Sequence, residues 1–409
     1  MSFYKLTKTV KYAKINMFNR NKWKKNKRTC KLKRKTYIGV FKGERMKDKS
    51  ISNKFALILA GGNGTRLWPI SLKSKPKQFL NLYGNNIMIN ETIKRVESMF
   101  EHKNIFIIIN KEQEEIANRY IDYNIPRENI FCEPCSKNTA MCIFYATLKI
   151  KNMRENGTIT VLSSDHYIEQ KEKFIGNIKD GIEFASTTEN LVTIGIKPTY
   201  PSTEFGYIKF HYDKINNCNI VEEFKEKPNY ENAVKYVNSK EYFWNSGMFI
   251  WNINTILKNF KRFLPDLYKY RDEIENVIDT KKELIIMKNI YNKVQTISID
   301  KGILEKSDDI KMIRGEFEWL DIGTINDFFK IQEKDQFENT QLGNILTKGT
   351  KKTNILNKEK NCLIATIGME NTNIVNCNNV ILIANKDKMN ELPELIEEIK
   401  NSKKYNKYL

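Results

Sequence analysis

The stretch of chain richest in chemical options is FALILAGGNGTRLWPISLKSKPKQFL, residues 55–80. Gly61, Gly62 and Gly64 are followed by Thr65 and Arg66. Glycines accept positive φ and let backbone approach a ligand closely. Successive free N–H groups in such a loop form a concavity that holds anions. Arg66 and Lys77 add two cations suited to phosphate oxygens. This composition reads as a cradle for the phosphates of a nucleotide. It is neither G-x-x-x-x-G-K-[ST] nor a G-x-G-x-x-G opening a helix, and a lone GG-x-G is more often a plain turn. Further on, VLSSDHYI (161–168) sets Asp165 just past an apolar run. An acid there suits a hard oxygen ligand for Mg²⁺; a solvated or helix-capping Asp is the competing reading of an unaided S-D-H.

These side chains need elements to hold them. The run Phe55–Ala60 is short, uncharged and closed by Gly-Gly, the pattern of a buried strand. Helical spacing follows over 90–100, with Ile93, Val96 and Phe100 on one face. A strand is expected at 105–109, helices at 113–120 and 138–149, a strand at 158–162, a helix at 172–185 and a strand at 191–195. This alternation predicts an α/β fold, a mixed and mostly parallel sheet with helices on both faces. Ligands of such sheets bind at the carboxyl ends of strands. GGNGTR, SSDH and the loop Pro201–Tyr207 all follow expected strands. After residue 335 the pattern changes. Turn-rich spacers such as 348–361 separate short strands at 362–367, 372–375 and 379–384, and an amphipathic helix closes the chain at 394–400. The expected division is a basic leader (1–52), a catalytic domain (53–335) and a small C-terminal β-rich domain (336–409).

The string LAGGNGTRLWPIS…KPKQFL closely resembles the signature of the sugar-nucleotide pyrophosphorylases, and its LWP and PKQF variant is that of the mannose-1-phosphate guanylyltransferases. Further strings extend the resemblance in order to about residue 330. EPCSKNTA (133–140) is similar to EPxxRNTA, with Lys137 in place of Arg. LSSDH is similar to LPSDH, with Ser163 in place of Pro. GIKPTYPSTEFGYI is similar to GIxPxxPxTGYGYI, with Ser202 and Glu204 replacing the commonest Glu and Gly. VEEFKEKP, YFWNSGMFIW, SIDKGILEK and FEWLDIGTINDF correspond to FxEKP, WNSGMF, SIDxxxxEK and GWxDVGSW.

The resemblance implies a Rossmann-like nucleotidyltransferase domain and a set of roles. Leu59, Ala60, Gly61, Gly62, Gly64, Thr65, Arg66, Glu133, Asn138, Thr139 and Ser164 would bind the nucleotide. Gly206, Tyr207, Glu226, Lys227 and Asn245 would bind the sugar phosphate. Asp165 and Asp321 would hold Mg²⁺, and Arg66, Lys77, Asp165, Lys227 and Asp321 would be the catalytic set. His166, Asp300 and Glu305 are expected to be structural. The implied substrates are GTP and mannose 1-phosphate. The sugar phosphate would attack the α-phosphorus in line, giving GDP-mannose and diphosphate with no covalent intermediate. Ser202 and Glu204 keep open a relative that uses another sugar or base. The tail resembles that of short family members, a few left-handed β-helix-like coils. Long members carry a phosphomannose isomerase domain further on; with the chain ending at Leu409, that activity is expected to be absent.

Composition bounds the remaining options. The net charge is +20, but residues 1–54 hold 19 Lys/Arg against Glu44 and Asp48, leaving 50 basic and 47 acidic residues for the rest. The near-neutral body fits a metabolic enzyme, and the leader is expected to be a disordered extension, with Met46 as an alternative start. A non-catalytic, nucleic-acid-binding protein using that arm is the alternative of another class; the intact cations and acids argue against it, and the arm carries no recognised nucleic-acid fold. Seven Cys form no disulfide or zinc framework, in keeping with a reducing cytoplasm. No apolar run approaches the ~20 residues of a membrane helix. A homo-oligomer is allowed by the sequence.

Overall fold

The computed structural model describes residues 53–62, 64–122, 124–214 and 218–409. The basic leader read at 1–52 lies outside the described residues. The described residues belong to one compact unit.

Eleven strands build the first part: β1 (Lys54–Leu59), β2 (Ile105–Asn110), β3 (Ile130–Glu133), β4 (Thr158–Ser163), β5 (His166–Ile168), β6 (Leu191–Ile196), β7 (Tyr207–Asp213), β8 (Cys218–Lys225), β9 (Tyr242–Asn252), β10 (Ile310–Gly315) and β11 (Trp319–Asp321). Nine of them form one sheet in the order β3-β2-β1-β4-β9-β6-β10-β8-β7, with β7 also pairing β9. β3, β2, β1 and β4 are parallel neighbours, and β10 lies parallel to β6. β9 runs antiparallel to β4 and β6, and β8 antiparallel to β10 and β7. Seven strands therefore point one way and two oppose them, a mixed, mostly parallel sheet.

The central strands are continuous apolar runs because both faces of the sheet are covered. Side chains alternate across a strand, so Phe55 and Leu57 enter one core while Ala56 and Ile58 enter the other. The second core receives Ile89, Ile93 and Val96 of α1 (Met88–Val96), Ala117 of α2 (Glu114–Tyr120), and Phe174, Ile178 and Ala185 of a helix over Lys171–Thr187. The first core packs on the 17-residue helix Asn138–Arg154, buried without a break from Ala140 to Ile150. It is apolar on every side because helices between 253 and 302 cover it outside, Phe144 meeting Phe260 with ring centroids 4.8 Å apart. That helix runs five residues past its expected end.

β9 carries the WNSGMF string. Phe249 and Trp251 stack at 5.5 Å in the core, and the strand as a whole is an antiparallel insertion that β-α alternation does not announce.

The C-terminal unit is β-rich as expected. β12 (Thr340–Leu342), β14 (Asn354–Asn357) and β16 (Thr372–Cys377) pair in parallel, and β13 (Ile345–Lys348) pairs in parallel with β15 (Ile364–Ile367). β17 (Val380–Asn385) adds antiparallel to β16. The expected spacer 348–361 contains β14, which its composition hides. Inward positions carry amides and hydroxyls that bond between neighbouring segments: Asn354 donates to Asn373 at 2.9 Å, Asn376 to Asn357 at 3.0 Å, and the Thr350 and Thr366 hydroxyls meet at 2.9 Å. Buried polar groups are tolerable when paired in this way.

This unit docks on the start of the signature. Leu67, Trp68 and Ile70 share an apolar cluster with Ile322, Val375, Leu392 and Ile396. The Trp68 indole N–H donates to the Tyr408 carbonyl at 2.8 Å, and the Asn378 amide to the Pro69 carbonyl at 2.7 Å. LWP is thus a structural seat beside the glycine loop.

Candidate active site

The loop after β1 turns at Gly64, whose φ of +64° is in the left-handed region. Its carbonyls are tied down from beneath. The Gln78 amide donates to the Ala60 and Gly62 carbonyls at 2.5 and 3.1 Å, the Gln113 amide reaches Gly62 at 3.3 Å, and Asn110 bonds the Gly61 carbonyl. With the carbonyls held, the Gly61 and Gly62 N–H groups donate to no described residue. That leaves donors for an anion. None of the three amides is among the expected site residues, although Gln78 stands inside the PKQF string. Gln78→Ala is expected to raise the KM for the nucleotide about tenfold with a smaller change in kcat, the loss of two bonds of roughly 1 kcal/mol each; steady-state kinetics checks it.

Two carboxylates meet at the far side of this loop. Asp165 follows β4 and Asp321 ends β11; β5 and β11 pair antiparallel with Asp321 opposite His166. The Lys77 ammonium pairs with Asp165 and stands 3.8 Å from Asp321. Ser163 donates to Asp165, so the residue that replaces the family Pro holds this acid. Burial opposes the Asp165 charge, but Lys77, His166 and Ser163 together hold its carboxyl below the usual range. Burial pushes Asp321 up to about 6, with Asp165 adding repulsion. Burial also brings His166 down to about 4, which keeps its imidazole neutral. Arg95 and Tyr83 bond the His166 carbonyl at 3.2 and 2.9 Å and fix the turn.

The residues fit a divalent cation. One ligand atom from each of Asp165, His166 and Asp321 lies within 4.8 Å of the others, and Asp321 Oδ1 is buried without a hydrogen-bond partner. Buried oxygens lacking a donor suit a hard cation.

Two cavities flank this cluster. One, of about 240 Å³, is lined by Leu59, Gly61, Gly62, Lys77, Glu133, Asn138, Thr139, Ser164 and Asp165 among others. The other, of about 390 Å³, is bounded by Arg66, Glu204, Lys227, Asp321, Asp327 and Lys330 among others. Expected nucleotide residues thus gather in the first, while Arg66 faces the second. Ala60 is buried beneath the loop, and Thr65 opens the turn that carries Arg66. Glu133 ends β3 with its carboxylate against Gly61; it accepts from the Tyr291 hydroxyl at 2.7 Å, and burial raises it to about 7. The helix behind it is capped by Lys137 with no side-chain bond. Asn138 itself takes φ +65°, and the Thr139 hydroxyl is used by the Ile299 N–H at 2.8 Å.

On the sugar side, Glu226 closes over Gly206, where an added Cβ would come within 2.7 Å of its carboxylate. Lys227 pairs with Glu226. The side chains of Tyr207, expected to meet the sugar through its backbone, and of Asn245 are held inside the fold. Tyr207 is fully buried with its hydroxyl on the Ser202 carbonyl at 3.0 Å. The Asn245 amide is engaged by Thr193, the Gly247 N–H and Asp300, the last at 2.9 Å. Glu204, unforeseen as a partner, pairs with Arg66 at 2.5 Å. Lys330, also unforeseen, pairs with Asp327 at 2.9 Å.

Comparison with known proteins agrees with this layout. The profile of the nucleotidyl transferase family matches residues 55–338. A mannose-1-phosphate guanylyltransferase of Escherichia coli is 31% identical over 350 residues, 84% of this chain and 75% of that protein. One of Klebsiella pneumoniae is 31% identical over 352 residues, 85% of this chain and 74% of that protein. A solved structure from Thermus thermophilus, described as a mannose-1-phosphate geranyltransferase, matches with a TM-score of 0.76 at 26% identity, over 85% of this chain and 99% of that one. Because the profile spans well over half of the chain and stops where the large sheet gives way to the short C-terminal strands, the chain belongs to the nucleotidyl transferase family, in the group of the mannose-1-phosphate guanylyltransferases.

Proposed function

We propose that the protein joins GTP and α-D-mannose 1-phosphate into GDP-mannose and diphosphate. The observation that carries this reading is the pair of cavities on either side of the Lys77, Asp165 and Asp321 cluster. The nucleotide would lie under the glycine loop, its phosphates on the free N–H groups with Lys77 and Arg66 alongside. Guanine offers two adjacent donors, N1–H and the 2-amino group, and the buried Glu133 carboxylate offers the matching acceptors. Lys227 would hold the sugar phosphate in the second cavity. Asp165 and Asp321, with His166 beside them, would hold Mg²⁺. When bound, Mg²⁺ would stabilise charge developing on the phosphates. The attacking phosphate oxygen is already ionised, so the chain's residues need only align it with the α-phosphorus and screen repulsion. A relative using another sugar 1-phosphate is the second reading, favoured by Glu204 in the wall of the sugar-side cavity.

We also read the C-terminal strands as a short left-handed β-helix, supported by the alternating parallel pairing, and place the domain boundary at 335/336. Exposed Ile367, Ile381 and Ile383 there offer a surface for a second copy, in keeping with a homo-oligomer. Free thiols among the described residues, and no helix there long and apolar enough to cross a membrane, support a cytoplasmic location.

Phosphorus NMR of a mixture of GTP, mannose 1-phosphate and Mg²⁺ should show GDP-mannose and diphosphate growing in equal amounts. Folded protein that forms neither would overturn the reading.

A further inference from the structure

Each cation that the proposed function assigns to phosphate rests on a carboxylate: Arg66 on Glu204, Lys227 on Glu226, and Lys77 on Asp165 with Asp321 nearby. The third case differs in kind. Arg66 and Glu204 are 48% and 60% exposed, and such pairs exchange with water at little cost. Lys77 and Asp165 are only 12% and 15% exposed. The two acids Lys77 faces are also those that would hold the metal.

We propose that Lys77 occupies the cation seat of the free protein and keeps it shut until a nucleotide draws the ammonium away. This rests on reading Asp165 and Asp321 as the metal ligands. Asp165 and Asp321 would hold a divalent cation through the carboxylates that now face the ammonium, so the two cations would compete for the same charges. If Lys77 left with nothing replacing it, two buried like charges would face each other. Its departure and the arrival of metal are therefore coupled. The route out is short. The Lys77 stem runs against the glycine loop, where a Cβ added at Gly64 would lie 3.0 Å from the Lys77 Cβ, and Lys77 lines the nucleotide cavity. Apart from the acids, among the described residues its ammonium makes one long bond, 3.5 Å to the Ile322 carbonyl. A phosphate in the loop would compete for the same ammonium. Nucleotide and metal should then strengthen each other's binding by one common factor.

The test is Mn²⁺ binding by electron paramagnetic resonance on the full chain, with and without the non-reacting analogue α,β-methylene-GTP. Without nucleotide, the wild type should bind Mn²⁺ weakly. Lys77→Met should bind it at least tenfold tighter, Lys77→Arg should stay as weak as wild type, and Arg66→Met should change binding less than twofold. Lys77→Gln gives a second neutral variant if Lys77→Met does not fold. Asp165→Asn, combined with the neutral variant, should remove the tight site. If the neutral variants bind no tighter while the analogue complex of the wild type binds Mn²⁺ through Asp165, the shut seat is wrong and the metal reading stands. If no form binds Mn²⁺, both fall.

Discussion

Asp165→Asn lowers kcat by on the order of 10³-fold, the range expected when a metal ligand or a charge aimed at the transition state is lost. The amide keeps the shape of the side chain and can still meet Ser163, but it cannot neutralise Lys77 or offer two anionic oxygens to a metal. Loss of one partner of a buried pair costs up to about 3–5 kcal/mol. Asp321, 3.8 Å from Lys77, softens that loss, so the variant should keep its circular dichroism and melt lower. The sign of the pH effect follows from the depressed carboxyl of Asp165. A depressed acid contributes stability that is complete above its unfolded pKa and is lost as pH falls through the folded one. The gap in melting temperature between wild type and variant should therefore be widest near neutrality and narrow below about pH 4. Undiminished turnover would remove Asp165 from the site.

Glu133→Gln lowers kcat/KM for GTP by about 10²-fold, because a site built around a hydrogen-bonding group discriminates strongly when that group is left unmatched. The wild type should prefer GTP to inosine triphosphate, which lacks the 2-amino donor, and the variant should lose most of that preference. Burial raises Glu133 to about 7, and only the ionised form accepts both donors. The wild-type KM for GTP should therefore climb as pH falls below 7, while the variant stays flat. Stability moves the other way. An acid raised in the fold stabilises fully below its unfolded pKa, and that contribution is lost as pH rises through the folded value. Glu133→Gln should gain stability relative to wild type between about pH 4.5 and 7, by at most about 3 kcal/mol. Thermal melts across that range, with kinetics on both nucleotides, check both claims. An unchanged GTP preference would move base recognition away from Glu133.

Much of this was legible in the chain. Apolar runs ending in glycine or Ser-Asp gave β1 and β4, because buried parallel strands need no polar face. The glycines, Lys77 and Asp165 stood in strings whose order left little freedom. Three things were not legible, each for a physical reason. β9 runs against its neighbours, and strand direction leaves no mark in composition. β14 hides in a polar spacer because its two Asn side chains pair with those of β16, so that only Ile355 and Leu356 mark it as buried. Gln78, Asn110 and Gln113 hold loop carbonyls from separate elements, a relation that exists only after folding. The same holds for Asn245, whose amide is spent on Asp300 and Thr193 inside the fold.

The most direct measurement is diphosphate release with Mg²⁺ from each of GTP, ATP, UTP and dTTP, paired with mannose 1-phosphate or glucose 1-phosphate. GTP with mannose 1-phosphate should exceed every other pair, and Asp165→Asn should silence it. A different best pair would contradict the assigned substrates while leaving the two-cavity mechanism in place. No release from any pair by folded protein would contradict the catalytic reading itself.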